Sequence, residues 1–445
     1  MPSALSARLS FARFAGAGVR PAGSAEVDPA GWCAGIALGF FALLWLRLHI
    51  PSLIYFDEVH YVSAARTLLT LAKPQNAEHP MVGKEILAAG LALFGDTARG
   101  WRTFPALFGT IGLFAFSRAL WLASGRRFAT IAGTLLLATN FMWFVMSRIA
   151  VLDIFMAAFC MLAMWMLAGA VRFPPQARWR LMLAGLFLGL AIGAKWNVVA
   201  AAALPGLAFF IMRVKRHGRA FMLATDGPPV PGISLAEAAL WLGTLPLLVY
   251  FASFAPTFFY AVQPVDPWHL IDYQDYMLTL QHSVKKHHPY QSVWWQWVID
   301  QRSIWFLYRN VDGAQRGVVM LGNPFAMWAG LPAAAWCLWA GIRKGRNDAL
   351  AAALFYLVSI GMWISAGKPI QFYYHYLLPG AYLMACLALA LDALWRRTDR
   401  WRWAAPSAVA VAIALFVVFF PILSAAKLCC GRTSFEWWMW LRTWR

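Results

Sequence analysis

Charge is what this chain has least of. Asp, Glu, Lys and Arg together make up only 13% of its 445 residues, where a soluble domain carries about 25%. So few polar groups cannot cover a core of this size, which excludes a set of water-soluble domains. Cysteine is also scarce. Six residues are too few for a disulfide scaffold, and Cys33, Cys160, Cys337 and Cys386 lie in apolar runs as small core residues would. Collagen-like and disordered compositions are excluded as well, and the chain lacks the internal repeat that marks many secondary transporters. What remains is apolar: 61% hydrophobic residues, with 25 Trp and 32 Phe, at a mean hydropathy of +0.58. The fold class is an all-α polytopic membrane protein.

A span needs about 20 apolar residues. Eleven stretches qualify, near 31–50, 103–122, 128–146, 151–171, 181–195, 197–212, 235–254, 322–341, 349–366, 372–392 and 403–423. The net charge of +19 is explained by Lys and Arg clusters between them, among them Arg8, Arg13 and Arg20, Arg126-Arg127, and Arg396-Arg397 with Arg400 and Arg402. Such clusters mark the cytoplasmic side, so the basic total needs no nucleic-acid partner. The expected layout is a cytoplasmic tail over 1–30, a transmembrane domain over 31–423 and a periplasmic interfacial tail over 424–445. The acid-free first 25 residues also resemble a transit peptide, but a basic tail accounts for them, with the first span as an uncleaved targeting signal. Two long connections, 51–102 and 255–321, fall outside. Twelve of the 19 acidic residues lie on that side or at its boundary.

The candidate chemistry follows those outer segments. Asp57-Glu58, directly after the first span, are two carboxylates at a membrane boundary. They serve either as a solvated helix start or as a general base whose proton affinity is raised by the apolar surroundings. Glu78-His79-Pro80-Met81-Val82-Gly83-Lys84 brings a fixed cation to a bend, suited to a phosphate or to snorkelling. Arg148 and Asp153, five residues apart in apolar sequence, are too costly to leave unpaired and each calls for a partner elsewhere. Lys195 adds an intramembrane cation. His287-His288-Pro289-Tyr290, the Trp294-Trp295-Gln296-Trp297 run, Arg302 and Tyr308 fit either an interfacial belt or a sugar platform, and Tyr373-Tyr374-His375-Tyr376 reads the same way. The adjacent histidines lack a carboxylate at ligand spacing, so no metal and no cofactor is expected. Phe435 to Arg442 reads as an interfacial helix.

Taken in order, these segments resemble the protein O-mannosyltransferases, membrane-embedded glycosyltransferases of GT-C fold. The likeness rests on Asp57-Glu58, His79 to Lys84, Arg148 to Asp153, His288 to Tyr308, Gly322-Asn323-Pro324 and Tyr374 to Pro379. Met81 departs from the family's second Pro, and the second outer loop is too short for the β-trefoil module of eukaryotic members.

The resemblance implies a GT-C bundle with a helical first periplasmic loop in a bacterial inner membrane, its amino terminus cytoplasmic and its active site periplasmic. It implies inverting transfer of mannose from polyprenyl-phosphate-mannose to Ser or Thr of exported protein. Asp57 would be the base and Glu58 its helper. Lys84, Arg148 and Arg302 would hold the donor phosphate, and His79, Asp153, His288, Tyr290, Trp295, Tyr374 and His375 would contact substrate. A GT-C transferase moving an aminoarabinose-like sugar to a lipid or glycan shares the first two motifs. A flippase would instead require ionisable residues deep in several spans.

Overall fold

The computed structural model describes residues 26–283, 287–429 and 431–445. Most of the expected basic tail, with Arg8, Arg13 and Arg20, lies outside the described residues. The helices are α1 (Ala30–Trp45), α2 (Glu58–Leu69), α3 (Val82–Phe94), α4 (Ala98–Ser124), α5 (Arg127–Ala138), α6 (Phe141–Met146), α7 (Asp153–Arg172), α8 (Ala177–Ala194) and α9 (Val199–His217). They continue as α10 (Leu235–Ala239), α11 (Leu245–Ala252), α12 (Leu270–Ser283), α13 (Trp294–Val298), α14 (Pro324–Lys344), α15 (Asn347–Ser365), α16 (Leu377–Trp395) and α17 (Ala404–Leu423).

Nine helical stretches among the described residues are long and apolar enough to cross a membrane, and they match nine of the eleven expected spans. The other two are shorter. The 31–50 span is the 16-residue α1, which buries a single stripe (Cys33, Ala37, Phe40, Leu44) against the bundle. The 128–146 span is broken. Helix α5 stops at Ala138, and the Asn140 side chain accepts the Trp143 N–H at 3.2 Å, starting α6 as a separate helix. An Asn that satisfies a free N–H at a helix start is a strong N-cap, and here it interrupts an apolar run that reads as continuous.

Helices α7 and α16 form the centre of the bundle, 72% and 83% buried over their apolar cores, whereas the α9 span is only 28% buried. Between helices in a bilayer, burial of apolar surface gives little drive, so close backbone approach must supply the contact. Gly185, Gly189 and Gly193, four residues apart on α8, provide it. A Cβ on Gly185 would lie 1.9 Å from the Trp241 carbonyl oxygen, and on Gly193 2.6 Å from Val82 of α3. This last contact sets the first outer loop down on the bundle.

The first outer loop is helical, as expected, built from α2 and α3. The second is not all-helical. Strands β1 (Ile304–Val311) and β2 (Ala314–Met320) pair antiparallel with Val311 opposite Ala314. The two turn residues, Asp312 and Gly313, both have positive φ (51° and 70°), the conformation that an Asp-Gly hairpin turn favours. A bulge falls between Trp305 and Leu307. Bulges re-aim side chains, and Phe306 within this one stacks on Phe56, ring centres 3.9 Å apart. Asp312 also accepts both the N–H (2.9 Å) and the hydroxyl (2.5 Å) of Ser52, so the hairpin fastens the start of the first loop.

The carboxyl-terminal tail is not an interfacial helix. It runs as short 3-10 turns over the second loop. Trp444 is fully buried there, its indole donating to the Asp300 carbonyl (2.8 Å) and its own carbonyl accepting from Ser303 (2.7 Å) and Trp305 (3.0 Å).

Candidate active site

The neighbours Asp57 and Glu58 point to different places. Glu58 is completely buried and saturated. Its carboxylate accepts two hydrogen bonds from Arg102 (2.7 and 2.8 Å), one from the Ala150 N–H (3.0 Å) and one from the Tyr55 N–H (3.2 Å). Arg102 in turn donates to the carbonyls of Pro51 (2.6 Å) and Leu53 (2.9 Å). Glu58 therefore binds loop to bundle.

Asp57, the residue before α2, keeps partial access to solvent. Its carboxyl lies beside the Tyr374 phenol. Burial pushes its pKa up to about 6, with Lys195 and His60 pulling in the other direction. An acid that titrates near neutrality and is not saturated by hydrogen bonds is equipped to take a proton.

Around Asp57 stand groups with unfilled hydrogen-bonding capacity. Asp153 and Lys195 form a buried ion pair at 2.6 Å, and the Lys195 ammonium lies 5.1 Å from the Tyr374 ring. This supplies the partner that Asp153 required. His79 shares a 3.4 Å hydrogen bond between Nε2 and the Tyr61 hydroxyl, and burial keeps its pKa well below the ordinary value, so the ring is neutral. His375 accepts the Phe372 N–H at Nδ1 (3.1 Å) and stacks on Trp363 at 4.0 Å. Among the described residues, Asp153 Oδ1, His79 Nδ1 and His375 Nε2 are buried without a hydrogen-bond partner. Buried polar atoms are rarely left so, and these three keep hydrogen-bonding capacity that a ligand's hydroxyls could fill. No group of three or more His, Cys, Asp or Glu among the described residues is arranged to hold a metal ion.

The three cations expected at a phosphate all donate to main-chain carbonyls. Lys84 is buried and donates to the main-chain carbonyls of His79 (2.7 Å) and Asn76 (3.1 Å), closing the bend that carries His79. Burial lowers its pKa to about 8. Arg148 caps the end of α1, donating to the carbonyls of Leu43, Leu44, Leu46 and Arg47. Arg302 donates to the Pro289 carbonyl at 2.5 Å.

The second loop reaches the cluster through rings. His288 meets Phe372 edge-on at 5.1 Å, its Nδ1 accepting the Tyr290 N–H, so both approach by way of the 372–376 turn. Trp295 is 44% exposed and lies outside the cluster. Two residues on along the same helical turn the direction reverses: Trp297 is fully buried and packs on His375 at 5.9 Å and Trp363 at 5.8 Å. From the Trp294 to Trp297 run the sequence reading picked Trp295 rather than Trp297, and it gave no role to Trp363, Arg102 or Tyr61. Arg102 carried a signal, an arginine at the mouth of an apolar span. Outside this cluster, a cavity of about 650 Å³ opens between Asn76-Ala77, Gln263 to Asp266 and Tyr273 of α12.

A helical membrane bundle with an under-bonded acid on one face defines the class, and solved structures agree: the fold is GT-C. It superimposes on the Saccharomyces cerevisiae protein O-mannosyltransferase Pmt1-Pmt2 complex with TM-score 0.79 at 13% identity, covering 95% of this chain and 93% of that one. ArnT from Cupriavidus metallidurans gives 0.57 at 15% identity, over 89% and 77%. Residues 35–261 match the family model described as dolichyl-phosphate-mannose-protein mannosyltransferase, and the chain belongs to that family. It is 26% identical to the polyprenol-phosphate-mannose--protein mannosyltransferases of Mycolicibacterium smegmatis (88% of this chain, 87% of the relative) and Corynebacterium glutamicum (88% of each).

Proposed function

We propose that the protein transfers mannose from a polyprenyl-phosphate-mannose lipid to Ser or Thr hydroxyls of exported polypeptides, at the outer face of a bacterial inner membrane with its amino terminus inside. The observation that carries this reading is the contrast at residues 57 and 58, which leaves one titratable carboxylate unsaturated beside three unsatisfied buried polar atoms. Asp57 takes the proton of the acceptor hydroxyl. The oxygen attacks the anomeric carbon from the side opposite the phosphate, the carbon–oxygen bond to phosphate breaks, and polyprenyl phosphate departs. One displacement inverts the anomeric centre. Asp153, His79 and His375 meet the sugar hydroxyls. His288 and Tyr290 shape the approach over Phe372.

The protein acceptor is favoured over a lipid or glycan acceptor by the names of the relatives, which are protein mannosyltransferases. Purified protein incubated with polyprenyl-phosphate-mannose and a Ser/Thr-rich peptide tests the reading. Peptide gaining one hexose is expected. Hexose that appears only on lipid or glycan, or on nothing, contradicts it.

A further inference from the structure

A departing phosphate needs a cation where its charge develops, and Lys84, Arg148 and Arg302 are bound to main-chain carbonyls. Two lysines remain within electrostatic reach of Asp57. The charge of Lys195 is already matched by Asp153 at 2.6 Å. The other is Lys368, half-buried in the 366–372 connection between α15 and the Tyr373–Tyr376 turn.

Its surroundings are charged from several elements. Asp57 precedes α2, Glu78 lies on the bend before α3, Asp153 starts α7, Lys195 ends α8, and His79 and His375 stand nearby. No hydrogen bond or ion pair occupies the Lys368 ammonium among the described residues, whereas its main chain is held. Gln371 donates to the carbonyls of Ala366 and Lys368 (3.4 Å each), and the Gln371 carbonyl accepts the Ser292 N–H at 2.9 Å. The backbone is fixed and the charge is free. With Lys195 engaged by Asp153, Lys368 is the lysine of this cluster whose ammonium has no hydrogen-bond or ion-pair partner among the described residues.

We propose that Lys368 binds the phosphate of the lipid-linked sugar donor and stabilises it as it leaves. This assignment rests on the transfer reading above and names the residue that recognises the phosphate. No intramolecular bond is lost when its side chain is changed, so its variants are expected to fold.

The test is equilibrium binding of polyprenyl phosphate, the leaving group, to the full-length protein in detergent. Lys368→Gln and Lys368→Ala are expected to weaken binding about 10- to 100-fold, the worth of a hydrogen bond to a charged group, and Lys368→Arg is expected to restore most of it. Inorganic phosphate should compete poorly with the lipid. Binding of the carrier by Lys368→Gln at wild-type strength overturns the proposal. So does an equal loss in Lys368→Arg, because the charge is then not what matters. Inorganic phosphate competing as well as the carrier would assign the site to free phosphate instead. Because this measurement requires no turnover, it is separate from the assay of mannose transfer, whose failure in the wild type would sink the transfer reading itself.

Discussion

The charged residues around the 51–102 loop fall into two regions that differ in how fully they are bonded. Within and beside the first outer loop, Glu58, Arg102, Arg148 and Lys84 form a collar in which carboxylate and cations meet N–H groups, each other and backbone carbonyls. In front of it, Asp57, Asp153, His79, His375 and Lys368 keep capacity in reserve. Most residues of both regions are buried, so burial alone does not separate them. The difference lies in saturation. A buried charge whose partners are all supplied by its own chain holds the fold, and one left short of partners keeps capacity for a ligand.

Substitutions in the collar should therefore damage stability, and those in front of it chemistry. The largest effect in the collar is expected from Glu58→Gln, which leaves Arg102 buried without its counter-charge. Loss of one partner from a buried pair costs about 3–5 kcal/mol, visible as a lowered thermal midpoint and poor recovery from the membrane. A stable Glu58→Gln enzyme that had lost only its turnover would erase the distinction. Lys84→Met should cost less, about 1–3 kcal/mol for the unsatisfied carbonyls, and should leave polyprenyl-phosphate affinity unchanged in the surviving folded fraction. Reduced affinity there would move Lys84 into the front region.

The pH dependence sharpens the same contrast. Asp57 must be deprotonated to act as base, so kcat/KM should rise through its pKa of about 6. Lys368 must be protonated to hold phosphate, and burial lowers its pKa to about 8, so activity should fall above that. The bell between these limits should lose its acid limb in any active variant that replaces Asp57. Trp295→Ala should do least, within about 0.5 kcal/mol in stability as for an ordinary surface site, with transfer unchanged. Trp297→Ala, which strips support from His375, should not be silent.

Much of this was legible in the sequence. Nine spans, the helical first loop, the acidic pair and the intramembrane Asp153 and Lys195 all follow from hydropathy and from the expense of an unpaired charge near lipid. What was not legible depends on contacts distant in sequence. Asp57 and Glu58 are equivalent as letters, and only Arg102 and Ala150, 44 and 92 residues further along the chain, assign Glu58 to the fold. That Lys84 and Arg148 also bind main-chain carbonyls was hidden, because those carbonyls carry no side-chain signature. The hairpin had a local signal in Asp312-Gly313, masked by the helical reading of the whole chain. Lys368 had none. Gly367-Lys368-Pro369 reads as an ordinary loop until the fold brings Lys368 within electrostatic reach of Asp57.

The account turns on Asp57 as the base, and its most direct test is single-turnover transfer by Asp57→Asn with polyprenyl-phosphate-mannose and a Ser/Thr-rich peptide, alongside melting and polyprenyl-phosphate binding. The expected result is a rate about 100- to 10,000-fold below wild type, with stability and carrier binding preserved. Transfer at close to the wild-type rate would contradict it.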